Sequence, residues 1–358
     1  MNLSEIINSL PCMYNNLLVE KRPILLYGMG DGADKIYTEL NKRGINIRGV
    51  FASEGFVRGQ NFLDFTVMSL EDAEEKYGDF VAVLCFALEG KKSEILALLR
   101  KKHTLYSPNL PVYGDGVFNK EYILSNIDKL QRLYDCLADE MSKKIFISLL
   151  KYNITGEIDY LFENKNTFIY PQGFFNHNKR HIDVGAYNGD TVLEFTSYNN
   201  EYSDIVAFEP DKINYRKLEK NTAHLRNIIC ENAAVFSHGG SGGFIGKGNR
   251  ASFINNEIYG DLRIVSIDSY CNQQYINDNG IPVGSIKIDA EGADKQVLSG
   301  AVNTIYKHCP DIMVALYHRS TDLIDLPLLI RSYDYNYKLF LRKKDYVPAW
   351  DVFLLALY

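Results

Sequence analysis

The stretch HIDVGAYNGDT, residues 181–191, decides how the rest of this sequence is interpreted. It predicts a short buried strand, His181 to Val184, then a turn that contains two glycines, then the first residues of a helix. The next predicted strand, IVAF, ends in Glu209–Pro210. In a doubly wound α/β sheet, a carboxylate at that place holds ribose hydroxyls. The order of strand, glycine turn, helix, strand and acid therefore predicts a crevice for a nucleoside-containing ligand.

The spacing of the glycines limits which ligand fits. A dinucleotide fingerprint is G-x-G-x-x-G, in which a pyrophosphate sits at the helix N-terminus. Here the spacing is Gly185-x-x-x-Gly189, and Asp183 precedes the first glycine. A carboxylate repels a pyrophosphate but attracts an ammonium group. S-adenosylmethionine carries an ammonium, a carboxylate and a ribose but no phosphate, so it suits this stretch. An ordinary strand–turn–helix connection with no ligand stays open.

Length and composition set the class of protein. A chain of 358 residues is longer than one core usually holds, so two domains are expected. Hydrophobic residues make up 46% and charged residues 23%, which is ordinary for a globular protein. The formal net charge of −6 offers no basic face, so no nucleic-acid partner is expected. The 6 cysteines are spread singly with no C-x-x-C, which argues against a cysteine-based zinc site and indicates reduced, cytosolic usage.

The ends and apolar runs of the sequence bear on location. The first residues, MNLSEIINSLPCMYNNLLVEK, show neither a basic region nor a long apolar run, so a signal peptide is not expected. No uncharged apolar run of about 18 residues occurs, so no membrane span is expected. These patterns predict a cytoplasmic protein.

The first third of the chain predicts a second Rossmann-like start. Residues 1–22 indicate a short amphipathic helix, and Ile24–Tyr27 a buried strand. Gly28, Gly30 and Ala33 then fit G-x-G-x-x-A, with a helix expected from Asp34 to Arg43. The following strand ends in Ala52–Ser53, with no acid in the ribose position unless Glu54 serves. A nucleotide-binding module and a purely structural one both remain open.

The middle of the chain predicts a helical connector. From Asn119 to Phe162 the apolar residues recur at helical spacing, which indicates two helices between the halves. We therefore expect a Rossmann-like N-terminal domain at 1–112, a helical connector at 113–164 and a second α/β domain at 165–358.

Further strands are expected after the glycine turn. IICENAAVF predicts the third strand, with Asn232–Ala233 at its end, and LRIVSIDSY a strand that carries Asp268. The Gly/Ser-rich segment between them predicts turns between short strands, or secondly a mobile lid. GSIKIDAEGADKQVLSGA predicts a strand at Ser285–Ile288, then Asp289 and a helix. IMVALYHR predicts a strand that ends near His318, and YKLFLRK with DVFLLALY a terminal hairpin.

These segments, taken together, resemble a known family. IDVGAYNGDT, AFEPD, ENAAV, VSID, IKIDAEGADKQVLSGA, a strand ending in YHR and YKLFLR follow one another as in the FkbM-type S-adenosylmethionine-dependent methyltransferases. KIDAEG followed by VLSGA is the most specific of them. Asp294 stands where the family usually has Glu, and Arg319 where it often has Lys; Arg and Lys are not equivalent ligands. The first 110 residues or so lie outside this resemblance and look loosely like nucleotide-sugar-binding Rossmann modules.

The resemblance implies a fold, an activity and a set of site residues. The fold is α/β with two doubly wound Rossmann-like domains, of which the second is a class I methyltransferase sheet with an antiparallel terminal hairpin. The activity is O-methylation of a hydroxyl by S-adenosylmethionine. By strand order, the expected cofactor-binding residues are Asp183, Gly185, Ala186, Gly189, Asp190, Thr191, Glu209, Pro210, Asn232 and Ala233. The residues expected to face the acceptor are Asp289, Glu291 and His318, with His318 as a candidate general base.

Other interpretations of these residues and of the whole chain stay open. Asp289 could be a helix N-cap, and His318 an ordinary histidine at a strand end. The three acceptor-side residues could also form a carboxylate–histidine metal site, although no metal is expected, because the spacing fixes no geometry. An NAD(P)-dependent oxidoreductase built on the N-terminal glycine turn and a non-catalytic nucleotide- or nucleotide-sugar-binding protein are the rival functions. The expected partner is a small-molecule or glycan acceptor, and a homo-oligomer is left open.

Overall fold

Short apolar strands alternate with amphipathic helices in the first part of the chain, and this order builds a parallel sheet. The computed structural model describes residues 2–89, 93–114, 116–163, 168–175, 178–245, 253–255, 262–277 and 280–358. The elements of the N-terminal part are α1 (Leu3–Ser9), α2 (Met13–Val19), β1 (Ile24–Tyr27), α3 (Asp31–Lys42), β2 (Gly49–Phe51), β3 (Asn61–Phe62), β4 (Phe65–Met68), α4 (Leu70–Tyr77), β5 (Val81–Leu84), β6 (Leu88–Glu89), α5 (Ser93–Lys102) and β7 (Thr104–Tyr106). Their sheet has the order β3-β4-β2-β1-β5-β7.

Local chemistry explains where the first helices begin and end. The single helix predicted over residues 1–22 is wrong: α1 and α2 are separate, because Pro11 lacks an amide proton and restricts the residue before it. Helix α3 begins three residues earlier than predicted, at Asp31. The predicted cap of α4 is confirmed, since the Ser69 side chain accepts from the Asp72 amide and the Asp72 carboxylate accepts from the Ser69 amide.

The connector is helical, as predicted, but is divided more finely. It contains α6 (Lys120–Ser125), α7 (Ile127–Cys136), α8 (Glu140–Thr155) and α9 (Asp159–Phe162). Asn126 separates α6 from α7, and its side-chain amide donates to the Tyr122 carbonyl oxygen at 3.0 Å. Such local bonds from an Asn compete with continued helix.

The C-terminal part forms the second large sheet. Its elements are β8 (Arg180–Val184), α10 (Asp190–Tyr198), β9 (Ile205–Phe208), α11 (Lys212–Thr222), β10 (Ile228–Glu231), β11 (Ala233–Val235), β12 (Gly240–Ile245), β13 (Phe253–Asn255), β14 (Leu262–Val265), α12 (Ile267–Asn277), β15 (Val283–Ile288), α13 (Asp294–Ser299), α14 (Val302–His308), β16 (Asp311–Ala315), α15 (Asp322–Tyr333), β17 (Lys338–Lys343), β18 (Tyr346–Val347) and β19 (Val352–Leu357). The order is β10-β9-β8-β15-β16-β19-β17. Strand β19 runs antiparallel to both of its neighbours, which confirms the predicted terminal hairpin.

Two strand predictions in this half are wrong. IICENAAVF is not one strand, because β10 ends at Glu231 and β11, which starts at Ala233, belongs to a small sheet of order β11-β14-β12-β13. Asp268 lies in α12 rather than on a strand, where its carboxylate accepts from the amides of Asn303 and Thr304 at the start of α14. The Gly/Ser-rich segment does contribute β12 and β13, while residues 246–252, where a lid was the second interpretation, lie outside the described residues.

The two large sheets share one hydrophobic core. Buried side chains from both, such as Leu25 and Ile286, belong to a single cluster that includes residues of α7 and α8. The edges are joined as well, since β6 pairs antiparallel with β18 and Arg342 on β17 forms a 2.7 Å ion pair with Asp139 at the start of α8. The division at residues 112 and 164 stays a prediction, and these contacts cross it.

Two further expectations concern cysteines and the membrane. All six cysteines are free thiols, in keeping with the absence of a predicted cysteine framework. Among the described residues, none of the helices combines the length and the apolar character that a membrane crossing demands.

The shared core leads to a prediction about the stability of the protein. Phe146 of α8 is fully buried in the common cluster, so Phe146→Ala should lower the free energy of unfolding by about 3–5 kcal/mol. Urea denaturation followed by far-UV circular dichroism measures the loss. Phe56→Ala is the matched control, because that side chain is 66% exposed and its removal should change the free energy by less than about 0.5 kcal/mol. Equal effects of the two substitutions would contradict the shared core.

Candidate active site

The predicted glycine turn brings two strand ends together. Gly185 follows β8 with φ of 75°, and a Cβ there would lie 2.0 Å from the Asp289 carbonyl oxygen, which follows β15. Gly189 has φ of 88° and stands at the N-cap of α10. Only glycine combines this backbone conformation with so close an approach. The two residues therefore fix the path of the turn, as expected from their spacing.

A buried ion pair lies beneath this turn. Lys287 stands opposite Asp183 in the register of β15 and β8, and its Nζ lies 3.1 Å from Asp183 Oδ1. The ammonium also donates to the Gly185 carbonyl oxygen at 2.9 Å, and the Thr191 hydroxyl donates to Asp183 Oδ2. Burial opposes the charge of Lys287, but Asp183 and Asp289 outweigh it and raise its pKa. Asp183 is therefore a neutralised, rigid anchor and presents no exposed charge.

Glu209 follows β9 and lies beside the glycine turn of residues 185–189. Its two carboxylate oxygens accept from the backbone amides of Tyr187 and Asp211, each at 2.9 Å. Burial, the largest influence, raises the pKa of Glu209 to about 7. Each carboxylate oxygen has a further lone pair, so the group can hold both the loop and a ligand hydroxyl.

The other residues predicted to bind the cofactor differ in their hydrogen bonds and in their exposure. The Asn232 amide donates to the carbonyl oxygens of Glu209 and Pro210, at 2.9 and 3.1 Å, so it positions that loop. Asp190 is exposed and accepts from the Thr191 amide at 2.9 Å. Ala186 and Ala233 are fully buried, so their methyl groups present no surface to a ligand. The prediction of direct ligand contact is thus weakest for these two alanines.

The three predicted acceptor-side residues meet beyond the neighbouring strand ends. His318 Nε2 lies 3.1 Å from Asp289 Oδ1 and 3.7 Å from Glu291 Oε2. The Tyr317 hydroxyl also donates to Asp289 Oδ1, at 3.1 Å. Burial opposes ionisation of Asp289, but His318 and Lys287 hold its pKa well below the usual range. Asp289 is therefore a stable carboxylate and a weak proton acceptor.

Asp294 holds this cluster together. It accepts from the amides of Ala290 and Gly292 at 2.9 and 3.1 Å, and it lies 2.8 Å from His318 Nδ1. The N-cap of α13 is Ala293, so the alternative interpretation of Asp289 as a helix N-cap is wrong.

The surroundings of His318 bear on the role predicted for it. Burial opposes the charged imidazole, but Asp294 and Asp289 outweigh it and hold the pKa of His318 well above its usual range. A general base must be neutral at working pH. An imidazole that keeps its proton orients and stabilises negative charge, which disfavours His318 as a general base; its role in catalysis stays a prediction.

A cleft lies beside Tyr317, whose hydroxyl donates to Asp289 Oδ1. It is partly open to solvent, and Tyr317 and Arg319 line it from the C-terminal half. Asn109 and Phe118 line it from the N-terminal half and connector. The Arg319 guanidinium is held over the Tyr113 ring at 4.4 Å, and its Nε donates to the Gly292 carbonyl oxygen at 2.7 Å. A molecule in this cleft would lie beside the Tyr317–Asp289 contact.

The second glycine turn, in the N-terminal half, has a different environment. A Cβ at Gly28 would lie 2.4 Å from the Phe86 ring, so that ring covers the turn. The first turn of α3 carries Asp31 and Asp34, which disfavours a pyrophosphate at this helix N-terminus. The Ser53 hydroxyl, at the position where an acid was sought, is bonded to the Tyr27 hydroxyl at 2.7 Å. These contacts argue against the oxidoreductase alternative.

Sequence reasoning missed Lys287, and gave Asp294 no role beyond its place in a motif. A lysine inside the apolar strand VGSIKI is itself a signal, because charged side chains are rarely buried without a partner. Nothing in the sequence indicated that the partner would be Asp183, since that contact depends on the register of two strands.

Comparisons with known proteins bear on the family resemblance and on the fold. Residues 183–337 match the family model described as the methyltransferase FkbM domain. Among solved structures, the chain is similar to methyltransferase FkbM from Methylobacillus flagellatus, at 20% identity and a TM-score of 0.69, over 99% of this chain and 93% of that one. This likeness extends to the N-terminal half. The family match and the shared fold confirm the resemblance inferred from the motifs.

More distant similarities involve about half of the chain. An rRNA methylase from Streptococcus thermophilus shares 10% identity at a TM-score of 0.32, over 50% of this chain and 85% of that one. An Aeropyrum pernix fibrillarin shares 11% identity at a TM-score of 0.29, over 51% and 67%. Superpositions this loose support no argument about this chain. No curated protein matches its sequence significantly.

The buried ion pair generates a stability prediction. Lys287→Met should lower the free energy of unfolding by about 3–5 kcal/mol, because it leaves Asp183 charged, buried and unpaired. Urea denaturation measures the loss, and the double variant Asp183→Asn/Lys287→Met should recover part of it. Lys338→Met, the same substitution at an exposed position of β17, should change the value by less than about 0.5 kcal/mol. A Lys287→Met variant as stable as the wild type would show that the ion pair does not contribute to the free energy of unfolding.

Proposed function

We propose that this protein, which carries a methyltransferase FkbM domain at residues 183–337, transfers a methyl group from S-adenosylmethionine to a hydroxyl oxygen. One observation carries the proposal: a rigid carboxylate crevice at Asp183 and Glu209 lies next to a carboxylate–histidine cluster at the ends of adjacent parallel strands. Ligands of open α/β sheets bind at such strand ends. The acceptor proposed is a sugar, a glycan or a related small metabolite, by analogy with the family.

The crevice has the chemistry that this cofactor needs. Glu209 retains lone pairs for the ribose hydroxyls. The methionine portion is proposed to lie along the turn whose path the positive φ values of Gly185 and Gly189 set. Asp183 stabilises that turn through Lys287 and Thr191. The exposed Asp190 carboxylate in the first turn of α10 disfavours a pyrophosphate at this helix start, so a nucleoside without phosphates fits better than a dinucleotide. When bound, S-adenosylmethionine supplies an electrophilic methyl group on a sulfonium.

The acceptor would occupy the cleft beside Tyr317. Both halves of the chain line this cleft, which gives the N-terminal module a role in shaping the acceptor site. Asn109 and the fixed Arg319 guanidinium offer polar contacts, and Phe118 and Tyr317 offer aromatic surface. Polar and aromatic side chains together suit a sugar-like molecule, and the argument for a nucleotide in the N-terminal turn is correspondingly weak.

The chain's own residues would act mainly by positioning. Asp289 can accept a hydrogen bond from the acceptor hydroxyl and aim its oxygen, while the Tyr317 hydroxyl fixes the carboxylate. The low pKa of Asp289 makes it a poor final acceptor for the proton, so Glu291 or solvent takes it. His318 stays charged and offsets the negative charge that develops on the oxygen.

Cofactor binding should depend on Glu209 and on pH. Burial raises the pKa of Glu209 to about 7, so this group is largely protonated at pH 6 and ionised at pH 8. Because the ionised carboxylate is the better acceptor for ribose hydroxyls, affinity for S-adenosylhomocysteine should rise between these pH values. Isothermal titration calorimetry measures it. Glu209→Ala should bind at least about tenfold more weakly, and Glu209→Gln should lose the pH dependence.

The matched control for this test is Glu219→Gln, an exposed carboxylate on α11 whose loss should change neither the affinity nor its pH dependence. Wild-type affinity in Glu209→Ala, or a wild-type affinity that is flat from pH 6 to pH 8, would contradict the assignment of Glu209 to the ribose.

The acceptor-side assignment makes a separate prediction. Asp289→Asn and His318→Ala should each lower the rate of methyl transfer by about 10²-fold or more, because the hydroxyl is then misaligned, with cofactor affinity nearly unchanged. Transfer of labelled methyl from S-adenosylmethionine to acceptors found in a sugar and glycan screen measures the rate. Asp325→Asn on α15 is the control. Full activity in both variants, or loss of cofactor binding together with the rate, would refute the role.

A further inference from the structure

The cleft beside Tyr317 contains one charged side chain. Of the described residues that line it, only Arg319 carries a charge, and none is a carboxylate. Asn109, Asn153 and Ser320 contribute neutral polar groups, and the remaining side chains are apolar or aromatic. A few polar groups on an otherwise apolar wall set the orientation and the specificity of a ligand. The lining therefore suits a molecule that has both hydroxyls and a negative charge.

The Arg319 guanidinium is held in one place although the residue is exposed. Its Nε donates to the Gly292 carbonyl oxygen at 2.7 Å, and its Cζ lies 4.4 Å from the centroid of the Tyr113 ring. The Tyr113 backbone is fixed in turn, because its amide donates to the His318 carbonyl oxygen at 2.8 Å. A guanidinium that is already oriented loses less conformational entropy when it binds a ligand.

The two terminal nitrogens of this guanidinium keep their charge and their donors for a ligand. A guanidinium has five N–H groups, and the bond to Gly292 uses only the one on Nε. No ion pair joins Arg319 to a carboxylate of the described residues, and its 2.7 Å bond with Asp322 comes from the backbone amide. A fixed cation on the wall of a cleft, without an internal counter-ion among these residues, is the arrangement expected for binding an anion.

The acids of the neighbouring cluster have cations of their own. Asp289 lies 3.1 Å from His318 and 4.0 Å from Lys287, and Asp294 lies 2.8 Å from His318 Nδ1. Glu291 lies 3.7 Å from His318 Nε2. These contacts offset the negative charge of the cluster within the cluster itself, so the charge of Arg319 is directed to the cleft.

We propose that the acceptor carries an oxyanion, a carboxylate or a phosphate, and that Arg319 binds it through its two terminal nitrogens. The planar fork of a guanidinium matches two oxygens of such a group with two parallel hydrogen bonds. Asn109 and Ser320 then bind hydroxyls of the same molecule, which is a sugar acid or a sugar phosphate. This inference rests on the proposed function and narrows its acceptor from sugars and related metabolites in general to anionic ones.

The test compares the binding of D-glucose, D-glucuronate and D-glucose 6-phosphate to the full chain. Saturation-transfer NMR titrations measure the three dissociation constants at about 20 mM salt, where charged contacts are screened little. At least one of the two anionic sugars should bind at least about tenfold more tightly than glucose, and the comparison of the two distinguishes a carboxylate from a phosphate. Inorganic phosphate, titrated alone, should bind more weakly than the preferred anionic sugar, because it lacks the hydroxyls.

Substitutions connect this preference to the guanidinium. Arg319→Gln should abolish the preference for the anionic sugar, and Arg319→Lys should keep only part of it, because the charge remains without the fork. Tyr113→Leu removes the ring beside the guanidinium and should weaken the anionic sugar while leaving glucose unchanged. Arg216→Gln, at an exposed arginine of α11, removes the same charge and should bind as the wild type does. Melting temperatures check that each variant is folded.

The outcomes separate this inference from the proposed function. Equal binding of the three sugars, detectable binding of none, or a preference that persists in Arg319→Gln would overturn the anion site. Inorganic phosphate that binds as tightly as the anionic sugars would also overturn it, because such a site does not recognise a sugar. The thermal shift caused by S-adenosylhomocysteine is recorded on the same samples. A preference that depends on Arg319 without any thermal shift would instead overturn the cofactor assignment and leave the anion site standing.

Discussion

The cross-strand pair of Lys287 and Asp183 is the contact on which the site depends. It joins β15 to β8 at their carboxyl ends, and the same ammonium holds the carbonyl oxygen of Gly185 in the turn above. A charge buried this deeply is tolerated only with a close partner, so the pair fixes the register of the two central strands. The relative positions of the glycine turn, the Glu209 loop and the Asp289 cluster all depend on that register.

Asp289 shows how one position serves both sides of the site. Its carbonyl oxygen lies against Gly185, so one residue joins the glycine turn to the carboxylate–histidine cluster. Its carboxylate lies between the positive charges of Lys287 and His318, which keeps it ionised. Compactness of this kind has a physical use, because methyl transfer requires donor and acceptor to be aligned within a fraction of an ångström.

The two glycine turns of the chain show why a motif does not define a site. Both follow a buried strand and precede a helix. At the first, near Gly28, an aromatic ring lies against the turn, and acids occupy the helix start. At the second, near Gly185, the backbone approaches a neighbouring strand end that carries functional groups. The N-terminal half instead contributes through the shared core and the wall of the acceptor cleft.

The sequence determined the class of fold and supplied the residues of the proposed site, because both were read from local patterns. Apolar periodicity located the parallel strands and the terminal hairpin, and the glycine spacing with Asp183 and Glu209 located the crevice. The apolar pattern gave a wrong prediction at residues 228–236, which it predicted as one strand. This run is divided between two sheets, and only the pairing of the strands reveals the division.

Only the tertiary structure decided what the charged groups do. The partner of Lys287, the arrangement of Asp294 around His318 and the depressed pKa of Asp289 arise between residues far apart in the chain. A pKa follows from burial and from the charges within a few ångströms, and no spacing in the sequence encodes either. His318 could therefore be proposed as a site residue from the sequence, but its protonation depends on the carboxylates that the fold places around it.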